Sequence, residues 1–207
     1  MTTLPMFPLG TVVFPGAQLP LRVFEPRYLN LFGDLSEADS YFGTCLIEKG
    51  HEVGGDDARF SSGTLCQIIR LEELPSKQLL IQSIGIDRLS IDKWLPDEPY
   101  PIANVNKLPN INKLDFYLKD KIVIELERCY VLLVQKGAIQ PESLNVNILD
   151  QIDLYTACSI APLGQLDKYK LLASASSESC AEILLSLITS ERETLAAMSR
   201  LQNDNDT

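Results

Sequence analysis

The chain has 207 residues, 45% hydrophobic and 22% charged, a balance that excludes a disordered polymer and suits one large domain or two small ones with true cores. With 18 basic residues against 28 acidic ones the net charge is −10, which disfavours nucleic acid and anionic membrane as partners. A basic patch confined to one face is still compatible with that total.

The N-terminus carries no basic segment, long apolar core and small-residue cleavage site in succession, and no uncharged apolar run reaches transmembrane length, so the expected location is the cytoplasm. The opening stretch LPMFPLGTVVFPGAQLPLRVFEPRYLNLF, residues 4–32, interrupts apolar segments with prolines at positions 5, 8, 15, 20 and 26. Proline removes a backbone donor and is confined to strand starts, edges and bulges, so these segments predict short strands with enforced corners, as in a barrel or bent sheet. In QLPLRVF, Leu19, Leu21 and Val23 alternate with Pro20 and Arg22, the period of a strand with one wet face. Pro26 then opens a short helix, with Leu29, Phe32 and Leu35 at helical spacing.

YFGTCLIEKG reads as the next strand, HEVGGDDA as a polar loop, and GTLCQIIRLEEL as a strand running to the turn PSK. In QLLIQSIGIDRLSI the alternation slips twice, from Leu79 and Ile81 to Ile84 and Ile86, then to Leu89 and Ile91. Each slip turns the apolar set to the other face unless a bulge absorbs a residue, so bulges are expected near Gln82–Ser83 and Asp87–Arg88. Such bends let a small sheet curl.

After YPIANV, one last strand, the pattern becomes helical. Leu114, Leu118, Ile122, Leu126, Cys129 and Leu133 recur every three or four residues up to Gly137, a helix stop. Val123, Ile124, Val131 and Leu132 widen this surface and predict burial on two sides. Further helices are expected in LNVNILDQIDLYTACSIA, in QLDKYKLLAS and after Ser176, the last with Ser179 and Glu182 at capping-box spacing and Leu184, Leu187, Ile188, Leu195 and Met198 on one face. Strands followed by helices define an α+β chain. The expected division is a β-rich subdomain over residues 1–108, an α-helical subdomain over 109–202, and a frayed tail, NDNDT, over 203–207. Five cysteines, Cys45, Cys66, Cys129, Cys158 and Cys180, are odd in number and set in apolar sequence, which suits reduced core thiols.

The opening segment, together with FGTCLIEKGHEVG, GTLCQIIRLEEL, LLIQSIGIDRLSI and YPIANV, resembles the N-terminal substrate-binding domain of the ATP-dependent Lon proteases, and more closely the stand-alone bacterial Lon-substrate-binding-domain proteins. The helical half is similar only in pattern, chiefly at APLGQLDKYKLLASAS. Leu89 departs from the phenylalanine that many relatives carry after the arginine, a packing variation. The resemblance implies a bent, barrel-like sheet of the PUA-like kind followed by a helical bundle, and a region without an active site of its own.

Motifs of catalysis are missing from the sequence. No glycine is followed by lysine, which excludes a P-loop, and there is no G-x-S-x-G elbow. His51 is the only histidine, so no multi-histidine metal site is possible; the carboxylates of Glu52, Asp56 and Asp57 beside it match no calcium loop, and a solvated loop is the simpler reading. The expectation is therefore no enzyme, no cofactor and no metal. The distinctive polar cluster is FEPRY with Arg22 before it. Arg22, Phe24, Glu25, Arg27 and Tyr28 are the candidate polypeptide-binding residues, and the alternative is that Glu25 and an arginine merely fasten the strand-to-helix junction. Phe7, Phe14 and Phe24 are candidate apolar contacts, at least one of them core. The resemblance implies an unfolded or flexible polypeptide as partner, in the company of a protease or chaperone machine. The competing reading is a PUA-like RNA-binding protein, disfavoured by the acidic balance.

Overall fold

A computed structural model describes residues 2–35, 40–49, 58–75, 77–140 and 152–205. The chain forms two compact units, Met1–Asn110 and Ile111–Thr207. The first contains β1 (Thr2–Pro5), β2 (Gln18–Val23), α1 (Pro26–Asp34), β3 (Tyr41–Lys49), β4 (Ala58–Glu73), β5 (Leu79–Trp94) and β6 (Ile102–Lys107). The strands pair antiparallel in the order β1-β6-β5-β4-β3, with β2 also paired to β5.

The prolines fall where a missing donor does least harm. Pro5 ends β1, Pro20 lies in β2, whose ladder is with β5, and Pro26 opens α1. The strand ladder stays open and is not a closed barrel. The chain leaving β1 instead reaches β3 through two isolated parallel bridges, Met6 to Gly43 and Leu9 to Leu46. Phe7 and Leu9 donate backbone hydrogen bonds to the carbonyls of Gly43 and Cys45, at 2.7 and 2.9 Å.

Neighbouring residues of this connection feed two cores. Met6 packs with Leu65, Leu89, Ala103 and Val105. Phe7 joins Tyr28, Phe32 and Phe42, with ring centroids 4.2, 5.7 and 6.5 Å from its own. The buried face of α1 is Tyr28, Leu31 and Phe32, so the helix is rotated from the expected Leu29–Phe32–Leu35 stripe, and Leu29 and Leu35 are half-buried. Tyr28 near the helix start and Leu31 take core positions ahead of Leu29 and Leu35, while Phe32 keeps the position expected of it.

The expected bulges in β5 are partly corrected. No slip occurs on β5 at Gln82–Ser83: Leu79, Ile81, Ser83 and Gly85 continue one alternation, and the last three are buried. Small residues simply occupy the inward positions, and Ser83 Oγ donates to the Leu19 carbonyl at 2.9 Å. The register shift opposite this point leaves the extra residue, Ile69, on β4. The second slip is real and lies one residue earlier than expected, with Ile86 unmatched between Gly85 and Asp87. A third, at Asp92, has no counterpart in the apolar pattern.

Gly85 permits the closest backbone approach at this bend. It donates to the Ala17 carbonyl at 3.0 Å and accepts from Gly16 N–H at 2.8 Å, and a Cβ there would stand 2.5 Å from the Phe14 carbonyl oxygen. Gly85→Ala is accordingly expected to lower stability by about 1–3 kcal/mol through forced backbone movement, measured by urea denaturation.

The second unit contains α2 (Phe116–Gln135), α3 (Leu154–Ile160), α4 (Gln165–Leu172) and α5 (Ser177–Asn205). Asp115 caps α2 by accepting from the Tyr117 and Leu118 amides, and Gly137, at φ +69°, follows its end. Helices α2 and α5 pack through Ile122, Leu126 and Cys129 against Leu184 and Ile188, with Arg192 Nε bonded to Glu125 Oε2 at 2.6 Å. The burial of α2 on two sides is not found among the described residues, where Ile124 and Val131 are exposed. The second expected helix begins only at Leu154, because Asp153 caps it there; residues 144–151 of that segment lie outside the described residues. The last helix is capped by Ser176, whose Oγ accepts from Ser179 N–H at 3.1 Å, so Ser179 is already inside the helix and the expected Ser179–Glu182 box does not form the start. Of its expected face, Leu184, Ile188 and Leu195 are buried while Met198 is exposed, and the helix runs to Asn205, into the stretch expected to fray.

Burial alone would push the Asp153 carboxyl up, but hydrogen bonds from Thr156 and Asn112 outweigh it and hold the group below its ordinary value. A depressed folded-state value means that the cap's contribution is complete above the unfolded-state value and is lost as pH falls through the folded one. Asp153→Ala is expected to cost about 1 kcal/mol at neutral pH, with the difference from the parent shrinking below pH ~4, as chemical denaturation at several pH values would measure.

Candidate functional site

The Arg22–Tyr28 cluster spans the end of β2 and the start of α1. Glu25 is the N-cap residue of α1 by backbone geometry, though its side chain makes no capping bond; its carbonyl accepts from the Tyr28 and Leu29 amides. Its carboxylate pairs with Arg27 Nε at 3.3 Å, and the Arg27 guanidinium lies 4.5 Å from the centroid of the Tyr28 ring. Arg22 Nε donates to Gln78 Oε1 at 2.9 Å. Tyr28 is core, at 2% exposure, while Phe24 stands 54% exposed.

Four of the five candidates, Arg22, Phe24, Glu25 and Tyr28, line a depression of about 190 Å³ with Phe7 and Leu9 at its base; Arg27 is outside the lining. Its size suits one side chain, and Phe24 is its exposed apolar wall. Phe7 and Phe14 are core, leaving Phe24 as the accessible phenylalanine of the three.

A larger pocket, of about 640 Å³, was missed in the sequence. It opens beside β1, the end strand of the ladder, whose described ladder partner is β6. The bridges to β3 begin only at Met6, so among the described residues Thr2–Pro5 form an open rim. Buried Leu65, Leu89 and Val105 line the pocket, and Tyr41 and Ile86 are exposed apolar walls. Ile86 is the residue left unmatched by the β5 bulge. That slip was visible in the sequence as a bend, and the apolar residue it turns outward was the available signal for a site.

Polar groups at this pocket are few and mostly paired. Tyr100 Oη donates to Asp34 Oδ2 at 3.1 Å, and Lys107 Nζ bonds Asp87 Oδ2 at 2.7 Å. Burial, then the Asp34 hydrogen bond and charge, push the Tyr100 phenol up, so it is a neutral donor at physiological pH. An apolar hollow beside an open strand edge, with its lysine neutralised, can take extended, largely uncharged chain by main-chain hydrogen bonding and side-chain burial.

His51, Glu52, Asp56 and Asp57 lie outside the described residues. Among the described residues no group of three or more His, Cys, Asp or Glu side chains could hold a metal ion, and no helix is long and apolar enough to cross a membrane.

Comparison with known proteins agrees with this architecture. The family model of the ATP-dependent protease La (LON) substrate-binding domain matches residues 3–190. The Lon protease of Koribacter versatilis is 24% identical over 183 residues, covering 84% of this chain and 22% of that protein; the Lon protease of Parabacteroides distasonis is 23% identical over 212 residues, covering 97% and 25%. The chain thus spans about a quarter of the length of these curated relatives. The crystal structure of a Lon N-terminal domain protein from Xanthomonas campestris superposes with a TM-score of 0.67 at 25% identity, covering 90% of this chain and 98% of that one. The N-terminal domain of Mycobacterium avium complex Lon protease, at 13% identity and a TM-score of 0.63 over 91% and 98% of the two chains, shares the fold. With the family's model matched over nearly its whole length, the chain belongs to the Lon substrate-binding-domain family.

Proposed function

We propose that this chain is a polypeptide-binding module with neither ATPase nor protease activity of its own, acting in the cytoplasm. The observation that carries the reading is the open rim of β1 beside an apolar pocket, in a chain of the Lon substrate-binding-domain family. An extended segment adds as a strand along Thr2–Pro5 and buries alternate side chains against Ile86, Leu89 and Tyr41. The depression walled by Arg22, Phe24, Glu25 and Tyr28 is a second contact, taking one apolar side chain, with Arg27 holding Glu25 in place. Affinity for any one segment is modest, around micromolar or roughly −8 kcal/mol, as suits holding and release. A protease or chaperone machine is the natural recipient of the bound chain. The bent sheet with its bridged first segment supports a PUA-like description of the first unit, and the packing of α2 on α5 supports a bundle in the second.

The test is fluorescence anisotropy of a labelled, permanently unfolded protein, with its folded form and a structured RNA as comparisons. Saturable binding to the unfolded form alone is expected; saturable binding of the RNA at low salt would instead favour the nucleic-acid reading. Ile86 is exposed enough for Ile86→Asp to leave folding intact, and this variant is expected to weaken binding at least tenfold. Phe24→Ala should weaken it about three- to tenfold. Unchanged affinity in both would remove these surfaces from consideration.

A further inference from the structure

Two of the five cysteines face one another. Cys158 in α3 and Cys180 in α5 bring their sulfurs to 3.7 Å across 22 residues of sequence, and the two are 0% and 1% exposed. Two of the other sulfurs point at carbonyls instead, Cys129 Sγ at Ile188 and Cys66 Sγ at Thr64. Cys180 Sγ also approaches the Leu171 carbonyl, at 3.5 Å, so it is held between α4 and α3.

We propose that Cys158 and Cys180 are a covalent modification site, a dithiol that a peroxide converts to a disulfide tying α3 to α5. Closing 3.7 Å to about 2.0 Å needs each sulfur to move less than about 1 Å, within the reach of side-chain rotation. The chemistry balances with the peroxide as two-electron oxidant. One thiol, deprotonated, attacks a peroxide oxygen; the O–O bond breaks, leaving a sulfenic acid and water. The second sulfur then attacks the sulfenic sulfur, the S–O bond breaks, and a second water leaves with the remaining thiol proton.

The site is set for slow reaction and a durable product. The hydrogen bond with Cys180, then burial, push the Cys158 thiol well above its ordinary value, opposed by the Lys168 ammonium. Lys168 itself is fastened to the Ser159 carbonyl, with Nζ at 2.6 Å. Only a small oxidant, or a local opening of α3, gives access, and the same burial then shields the bridge from large reductants.

The experiment treats the reduced, full chain with hydrogen peroxide, removes the oxidant, and alkylates under denaturing conditions. Three of the five cysteines should take up iodoacetamide, against five in the untreated protein. Trypsin should release one cross-linked species joining Gly137–Lys168 to Leu171–Arg192, separable again by dithiothreitol. The oxidised chain should melt about 5 °C or more above the reduced one. Cys180→Ala should leave all four remaining thiols alkylated after the same treatment. Five alkylations in the treated parent, a bridge joining any other pair, or sulfinic acid at Cys158 without a cross-linked species would each overturn the assignment; these readouts come from the parent chain and do not depend on the variant folding. An unchanged melting temperature in bridged protein would overturn the claim that the disulfide fits the native packing.

Discussion

β5 has two edges, and three strands need them. Along residues 79–84 it pairs with β2 on one side and β4 on the other; along 89–94 the place of β2 is taken by β6. Between these two stretches the backbone bends at Gly85–Asp87, where a bulge leaves Ile86 unmatched against β4. Gly85 provides the room, with the Phe14–Ala17 segment pressed against it through two backbone hydrogen bonds. The aromatic core around Phe7 and Phe42 and the aliphatic core around Met6 and Leu89 belong to the two halves that this bend creates. The pocket beside β1 opens at the same place, since Ile86 is the residue the bend leaves over.

Much of this could be read in advance, and the reasons for the failures are local. Alternation located β2 because its inward residues, Leu19 and Val23, are apolar and large; in β5 it marked the strand but not its inward set throughout. It misjudged Gln82–Ser83 because Ser83 is buried by a hydrogen bond to a carbonyl, which an apolar count takes for a wet position. It missed the bulge at Asp92, where the skipped residue is polar and solvent-facing, so the apolar period carries no mark of it. Among the helices, the long periodic segments were legible, while the starts depended on single capping bonds. Ser176 and Asp153 won those positions over the neighbours that composition favoured.

The candidate site divides in the same way. FEPRY was conspicuous because it concentrates charge and aromatic character, yet much of that character is spent on the junction: Tyr28 in the core, Arg27 on Glu25 and on the Tyr28 ring. Phe24 keeps an exposed face. The β1 pocket was silent because its walls come from both ends of the first unit's sequence, Thr2–Pro5 and Lys107 among them, and only the pairing of β1 with β6 brings those together. A site assembled by strand pairing has no local motif to find.

Open edges are ordinarily a hazard, and proteins shorten, charge or cover them. Here β1 is kept to four residues ending in proline, and just beyond it the chain is bound to β3, which limits how much foreign strand can add. Such an edge cannot template extended aggregation, because only a few main-chain bonds are on offer. It can still hold a short stretch of unfolded chain when the neighbouring hollow contributes apolar contact. The pairing of Lys107 with Asp87 neutralises the lysine at the pocket, so charge selection there is left to the long-range field of a chain of net charge −10. A short edge beside an apolar hollow offers main-chain bonds and apolar contact, which extended and partly apolar chain can meet whatever its exact sequence.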